Sequence, residues 1–279
     1  MRIIEAETLA ETVKNLFIKA NRELPPDVRD RIRACRDRET WPPARETLDR
    51  IIQNFELAEK NRIPICQDTG MACVFLELGA GAAVNGDIGE AVNEGVRRAC
   101  REGYLRASVV RDPLRRDNTG DNSPAALYID LVQGDGLGVT VAPKGFGSEN
   151  MSRIRMLSPS DGIEGFKNFV VSTVERAGPN PCPPVVVGVG VGGTFDRAAL
   201  LAKKALLRPL GKAHHDPFYG ELEAELLEKI NALGIGPQGF GGRTTALALA
   251  IEYMPTHIAA LPCAVNINCH ASRHAREDL

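Results

Sequence analysis

Ile63-Pro64-Ile65-Cys66-Gln67-Asp68-Thr69-Gly70 is the stretch at which this chain changes character. Before it, apolar residues recur at helical spacing. Directly after it, Met71-Ala72-Cys73-Val74-Phe75-Leu76-Glu77-Leu78 is a short apolar run that reads as a strand. Upstream, Ile4, Leu9, Val13, Leu16 and Phe17 predict a helix over 5–20. Pro25 and Pro26 open a second helical segment, and Leu48, Ile51, Ile52 and Phe55 share one face of a third between Pro43 and Lys60. Pro64 closes this region. The expected fold is α+β: a helical N-terminal layer over residues 1–62, then mixed strands and helices over 63–279, all in one domain.

Downstream, helices and strands alternate. Residues 89–103 read as a helix. Residues 126–132 and 137–143 read as the two strands of a β-hairpin, because Gly134-Asp135-Gly136 supplies the positive φ that such turns need. A helix near 160–177 leads to Asn180-Pro181-Cys182-Pro183-Pro184 and then to the strand-like P-V-V-V-G-V-G-V-G-G. Residues 196–207 and 217–233 read as helices, and so does R-T-T-A-L-A-L-A-I-E-Y (243–253). I-A-A-L-P-C-A-V-N-I (258–267) reads as a strand before a polar terminus. No internal repeat or low-complexity tract interrupts the pattern.

Composition narrows the function classes. The 279 residues are 43% hydrophobic and carry a net charge of −2, which gives bulk electrostatics no role in binding nucleic acid or membrane. No apolar stretch approaches the roughly 20 residues of a bilayer span. The opening M-R-I-I-E-A-E-T-L-A-E-T-V-K-N-L-F lacks the apolar core of a signal peptide. The expected location is cytoplasmic.

Seven cysteines in such a chain do not predict disulfides, and no C-x-x-C pair suggests structural zinc. Cys35 and Cys100 fall in helical patterns, Cys73 and Cys263 in strand-like runs; these four read as small buried hydrophobes. Cys66, Cys182 and Cys269 lie instead among prolines and polar residues. Three loop thiols suit an iron–sulfur cluster better than zinc, which takes four protein ligands when structural. A 4Fe-4S cluster held by three thiolates keeps one iron open to substrate. The residues alone do not decide between this and coincidence.

A set of strings, in order along nearly the whole chain, resembles class I iron–sulfur fumarases and the related L(+)-tartrate dehydratases. They are P-I-C-Q-D-T-G (64–70), Y-L-R-A-S-V-V (104–110), D-N-T-G-D-N (117–122), P-K-G-F-G-S-E-N (143–150), N-P-C-P-P (180–184), G-V-G-G-T-F (190–195), and P-T-H-I-A-A-L-P-C-A-V-N with the closing C-H (255–270). The resemblance implies a 4Fe-4S cluster on Cys66, Cys182 and Cys269, and reversible addition of water to a dicarboxylate such as fumarate. Phe146, where a further glycine is common, and Ala107, where proline often follows the arginine, depart from the pattern. Many relatives carry a second fused domain. Here a separate, smaller β subunit is expected to supply it, with αβ units pairing further.

The same resemblance implies roles. Arg106 offers a planar fork for a substrate carboxylate. Gln67 and Asp68 follow the first thiol, Gln67 to bind carboxylate and Asp68 to take part in proton transfer. Lys144 and Gly147 belong to a glycine-rich loop suited to an anion. His257, twelve residues before Cys269, matches the family's active-site histidine, and the base is expected on the partner. His214 and His215 read as surface residues. Two rival classes remain. Gly188–Gly193 matches G-x-G-x-x-G after a strand, but no second strand ending in an acid follows as dinucleotide binding requires. A non-enzymatic iron–sulfur protein would leave Arg106 and Lys144 without a task. Fumarate is the expected substrate, with tartrate and mesaconate as alternatives.

Overall fold

A computed structural model describes residues 1–279. Its packing divides the chain into two units: Met1–Pro25 with Asn54–Phe146 and Arg273–Leu279, and Pro26–Gln53 with Gly147–Ser272. The mixed α+β class expected from the sequence is what forms. The N-terminal helices are shared between the units: α1 (Ala6–Arg22) belongs to the first, α2 (Pro26–Arg38) to the second, and α3 (Pro42–Asn61) is divided between them. No helix is long and apolar enough to cross a membrane.

In the first unit β2 (Met71–Gly79) lies between β4 (Ala126–Val132), parallel to it, and β5 (Leu137–Lys144), antiparallel. The edge strand β10 (Ala275–Asp278) pairs with β5. Val74, Leu76, Val139 and Val141 meet Leu9, Val13 and Phe17 of α1 and Val92 and Val96 of α4 (Ile88–Glu102) in one core. Burying each such side chain is worth about 1.5–3 kcal/mol. Asp87 caps α4 by accepting the Glu90 N–H. β1 (Arg2–Glu5) and β3 (Ala82–Asn85) form a separate parallel pair.

The hairpin expected across Gly134–Gly136 does not form. β4 and β5 flank β2 instead of pairing with each other. The connecting loop wraps the end of β2, where Gly79, Ala80 and Gly81 donate N–H groups to Gly136, Val132 and Gly134. The turn residues are correct, but a third strand lies between the two that they join.

In the second unit the strand order is β6 (Arg153–Leu157), β9 (Leu261–Asn268), β7 (Val185–Gly192), β8 (Ala246–Met254). Valine and glycine alternate along β7, and a strand sends alternate residues to opposite faces. Val185, Val187, Val189 and Val191 join Phe166, Phe169 and Val170 of α6 (Gly162–Ala177) and Leu222, Leu226 and Ile230 of α8 (Pro217–Ala232). On the other face, α7 (Phe195–Ala205) presses so closely that a Cβ on Gly188 or Gly190 would lie 2.2 or 2.1 Å from the carbonyl oxygens of Ala202 or Ala198. The first two glycines of the G-x-G-x-x-G match are thus explained by helix–strand packing, and Gly193 by its φ of +67°.

Residues 243–253 are expected to be a helix, but Ala246–Met254 form a strand. β8 pairs in parallel with β7 and is buried along most of its length. An alternating run of alanine and leucine favours helix by propensity. Burial on both faces of a sheet removes the polar side that distinguishes a strand in sequence.

Candidate active site

Each unit carries part of the expected site. In the first, Cys66 is half-buried at the start of a tight loop before β2. Its Sγ accepts the Asp68 N–H at 3.4 Å and approaches Gln67 Oε1 at 3.4 Å. Asp68 binds with both carboxylate oxygens: Oδ1 accepts the Gly70 N–H at 2.9 Å and Oδ2 the Phe146 N–H at 3.1 Å. The loop of P-I-C-Q-D-T-G is thereby tied to that of P-K-G-F-G-S-E-N. Gly70, at φ +76°, faces the backbone of Lys144, where a Cβ would come within 2.7 Å of its carbonyl. Lys144 is 5% exposed and its Nζ donates to the Gly145 carbonyl at 3.3 Å.

Arg106 is exposed, its Nε 3.4 Å from Ser108 Oγ. The segment after it is held group by group. Asn118 Nδ2 donates to the Ala107 carbonyl at 3.2 Å, Asn122 Oδ1 accepts the Ser108 N–H at 2.8 Å, and the Thr119 N–H donates to the Val109 carbonyl at 2.9 Å. Asn122, fully buried, also donates from Nδ2 to the Gly70 carbonyl at 3.0 Å. Arg273, 5% exposed, donates to the Asp68 carbonyl. Neither Asn122 nor Arg273 was singled out from sequence.

In the second unit Cys182 is exposed with φ +55°, and its N–H donates to the Pro179 carbonyl at 3.1 Å. The chain just beyond β9 comes alongside: the His270 N–H donates to the Cys182 carbonyl at 3.3 Å, and His270 Nδ1 lies 3.0 Å from the same oxygen. Gln238, at φ +53°, fastens this junction. Its backbone N–H and its Nε2 both donate to the Pro183 carbonyl, at 2.7 and 2.8 Å, and Nε2 lies 3.2 Å from His270 Nδ1. The loops bearing Cys182 and Cys269 are therefore brought together. Cys66 belongs to the other unit, and nowhere are three histidine, cysteine or carboxylate side chains grouped as a metal-binding set.

The donor chemistry fits a thiolate-held cluster. Cys66, Cys182 and Cys269 are the cysteines that escape full burial, whereas Cys35, Cys73, Cys100 and Cys263 are buried. Burial pushes the Cys263 thiol up to about 12. Burial, with the nearby Asp121 carboxylate, pushes Cys100 up to about 11. The Asp68 N–H directed at Cys66 Sγ is the kind of donor that accompanies metal-bound sulfur.

His257 is exposed in the turn between β8 and β9, and its Nδ1 accepts the Ala259 N–H at 3.2 Å. In the neutral ring this puts the proton on Nε2. The neighbouring Thr256 hydroxyl donates to the Gly193 carbonyl at 2.9 Å. Gly147 is exposed in the short helix α5 (Phe146–Glu149), and nothing lies within 4 Å of a Cβ built on it. Glu149, at the end of α5, accepts from Lys203 Nζ at 2.7 Å and from Asn266 Nδ2 at 2.6 Å.

One histidine differs from expectation. His214 is buried, not at the surface; its ring stacks on His215 at 4.3 Å and lies 5.1 Å from Tyr219. Its N–H donates to Glu223, which also binds Arg208 and the Ile251 N–H. That buried carboxylate draws the loop inward, and a pair of adjacent histidines carries no sequence signal of it.

Comparison with known proteins agrees with these strings. The sequence model of the family described as Fumarate hydratase (Fumerase) matches residues 10–278. A Methanocaldococcus jannaschii protein, provisionally named L(+)-tartrate dehydratase subunit alpha, is 46% identical over 279 residues, 96% of this chain and 96% of the relative. L(+)-tartrate dehydratase subunit alpha of Escherichia coli strain K12 is 32% identical over 268 residues, 95% of this chain and 88% of the relative. The chain belongs to the fumarate hydratase (Fumerase) family of hydro-lyases.

Proposed function

We propose that this chain is the α subunit of a hydro-lyase that interconverts fumarate and L-malate, with a 4Fe-4S cluster on Cys66, Cys182 and Cys269. The observation that carries the proposal is the pairing of loops. Gln67 and Asp68 directly follow one of the three accessible thiols, and Asn122 ties their loop to the segment that presents Arg106. When bound, such a cluster supplies a Lewis-acidic iron with an open position.

The chain's own side chains supply the rest. Arg106 receives one substrate carboxylate in its guanidinium fork, and Gln67 donates to a carboxylate oxygen. Lys144 adds positive charge close by, and Gly147 leaves its backbone open to an oxyanion. In the dehydration direction His257 directs its Nε2–H at the departing hydroxyl and stabilises the charge that grows there as the carbon–oxygen bond breaks, and the hydroxide takes a proton from solvent to leave as water. Asp68 uses the lone pairs left over from its two backbone bonds to orient the proton acceptor. The proton on the neighbouring carbon goes to a base on a separate β subunit, a partner that the relatives' "subunit alpha" names also suggest. The assembly is read as αβ units that pair further, in the cytoplasm.

A second reading is dehydration of L(+)-tartrate, favoured by the names of the relatives. The two substrates differ by a hydroxyl, and a site built to bind that hydroxyl discriminates strongly against its absence. Anaerobic coexpression with the β subunit and comparison of kcat/KM for fumarate, L-malate and L(+)-tartrate tests both. Preference for fumarate and malate supports the first reading, and preference for tartrate replaces it. Turnover of none of them, by an enzyme holding iron, rejects both.

A further inference from the structure

D-N-T-G-D-N (117–122) carries none of the candidate thiols or substrate-binding side chains. Its last residue, Asn122, is fully buried and sits at φ +63°, a conformation that asparagine tolerates better than most residues. Its amide is used from both ends. Oδ1 accepts the Ser108 N–H at 2.8 Å, and Nδ2 donates to the Gly70 carbonyl at 3.0 Å. Ser108 stands two residues after Arg106, and Gly70 two after Asp68. Asn118 and Thr119 hold the intervening Ala107 and Val109 carbonyls. The string thus forms a platform under Arg106, and Asn122 is the point where that platform is joined to the loop of Gln67 and Asp68.

We propose that Asn122 is a positioning residue that sets the separation between Arg106 and Gln67, and with it how tightly a four-carbon dicarboxylate is held. This rests on the reading of Arg106 as a carboxylate-binding group. Asn122 is buried and spends both ends of its amide on backbone groups, so it acts on substrate through the two loops. A small displacement of a clamp residue is felt first in substrate binding, because the contact is made in ground and transition states alike.

The test uses the cluster-loaded enzyme with its partner subunit, and fumarate and L(+)-tartrate as probes. Asn122→Asp keeps the shape and the φ preference but turns the donor facing Gly70 into an acceptor. Asn122→Gly keeps the backbone conformation and removes both bonds, and covers the case in which the aspartate variant does not fold. The expected result is a KM raised about tenfold with kcat within about threefold, the pattern of lost uniform binding. Iron content stays unchanged. In an Arg106→Ala background the same substitution adds less than about twofold, because the two residues act as one unit.

Equal losses in both backgrounds, or loss of iron together with kcat, overturn the inference and leave Asn122 a structural residue. If Arg106→Ala alone leaves KM unchanged, the carboxylate reading of Arg106 fails, and the inference falls with it. That outcome is distinct from the one in which Arg106 matters and Asn122 is merely additive.

Discussion

The loop of Cys66 and the junction of Cys182 with His270 are built differently. The Cys66 loop is fastened from distant parts of its unit: Asn122 holds the Gly70 carbonyl, Arg273 the Asp68 carbonyl, and Asp68 reaches the Phe146 N–H. The Cys182 junction depends on one carbonyl on each side, those of Cys182 and Pro183, approached by His270 and Gln238. The first framework joins three separate segments, those of Asp68–Gly70, Ser108 and Phe146, through side chains that reach across to them, as the proposed carboxylate recognition would need. The second fixes two backbone segments, which is what a pair of ligands needs. Apart from the cysteines themselves, substitutions in the first should alter substrate selection, and those in the second should alter metal retention.

The largest effect expected is on iron itself. Cys66→Ala, Cys182→Ala or Cys269→Ala is predicted to abolish stoichiometric iron binding and to exceed the about 10- to 100-fold loss typical of removing an outer partner. Cys35→Ala, at a buried position, is predicted to retain iron. Iron and sulfide analysis of the anaerobic proteins checks both. Full iron in any of the first three removes that residue from the ligand set.

A smaller effect is expected from Gln238→Ala, which deletes the Nε2 bond to Pro183 and leaves a strained φ. Loss of iron to a chelator should quicken by about tenfold, with KM for the dicarboxylate unchanged. A raised KM with normal iron retention would erase the contrast between the two frameworks.

How far these frameworks were legible follows from the kind of bond in each. Helices α1, α4, α6 and α8 were readable because one apolar face repeats every three or four residues, as with Leu9, Val13, Leu16 and Phe17. β8 was not, since a strand buried on both faces has no alternation to read. The β4–β5 hairpin failed because turn chemistry is local, whereas the insertion of β2 is a long-range choice. Among site residues, the three loop cysteines stood out by their proline and polar neighbours. Asn122, Gln238 and Arg273 did not, because such an amide or guanidinium is recognised by the remote carbonyl it meets. Only the D-N-T-G-D-N string gave a sign of Asn122, and it gave no role.

The smallest effect expected is no effect. Cys100 and Cys263 are held at about 11 and about 12, so both remain neutral thiols at pH 8. Only the thiolate attacks an alkylating reagent. An alkylating reagent offered to the iron-free chain at pH 8 should therefore label exposed Cys182 and leave Cys100 and Cys263 unlabelled, as peptide mass analysis would read. Labelling of Cys263 before Cys182 would mean that the second unit opens far more readily than its buried core implies.

The central claim is that three thiols of this chain hold a cluster whose open iron meets a dicarboxylate. Its most direct test is anaerobic reconstitution of the chain with its β subunit, with iron and sulfide quantitation and EPR of the reduced cluster, with and without fumarate or L-malate. The account predicts four irons per α chain and a signal that shifts when the dicarboxylate is added. A protein that takes up no iron, or whose signal is indifferent to every dicarboxylate tried, would contradict it.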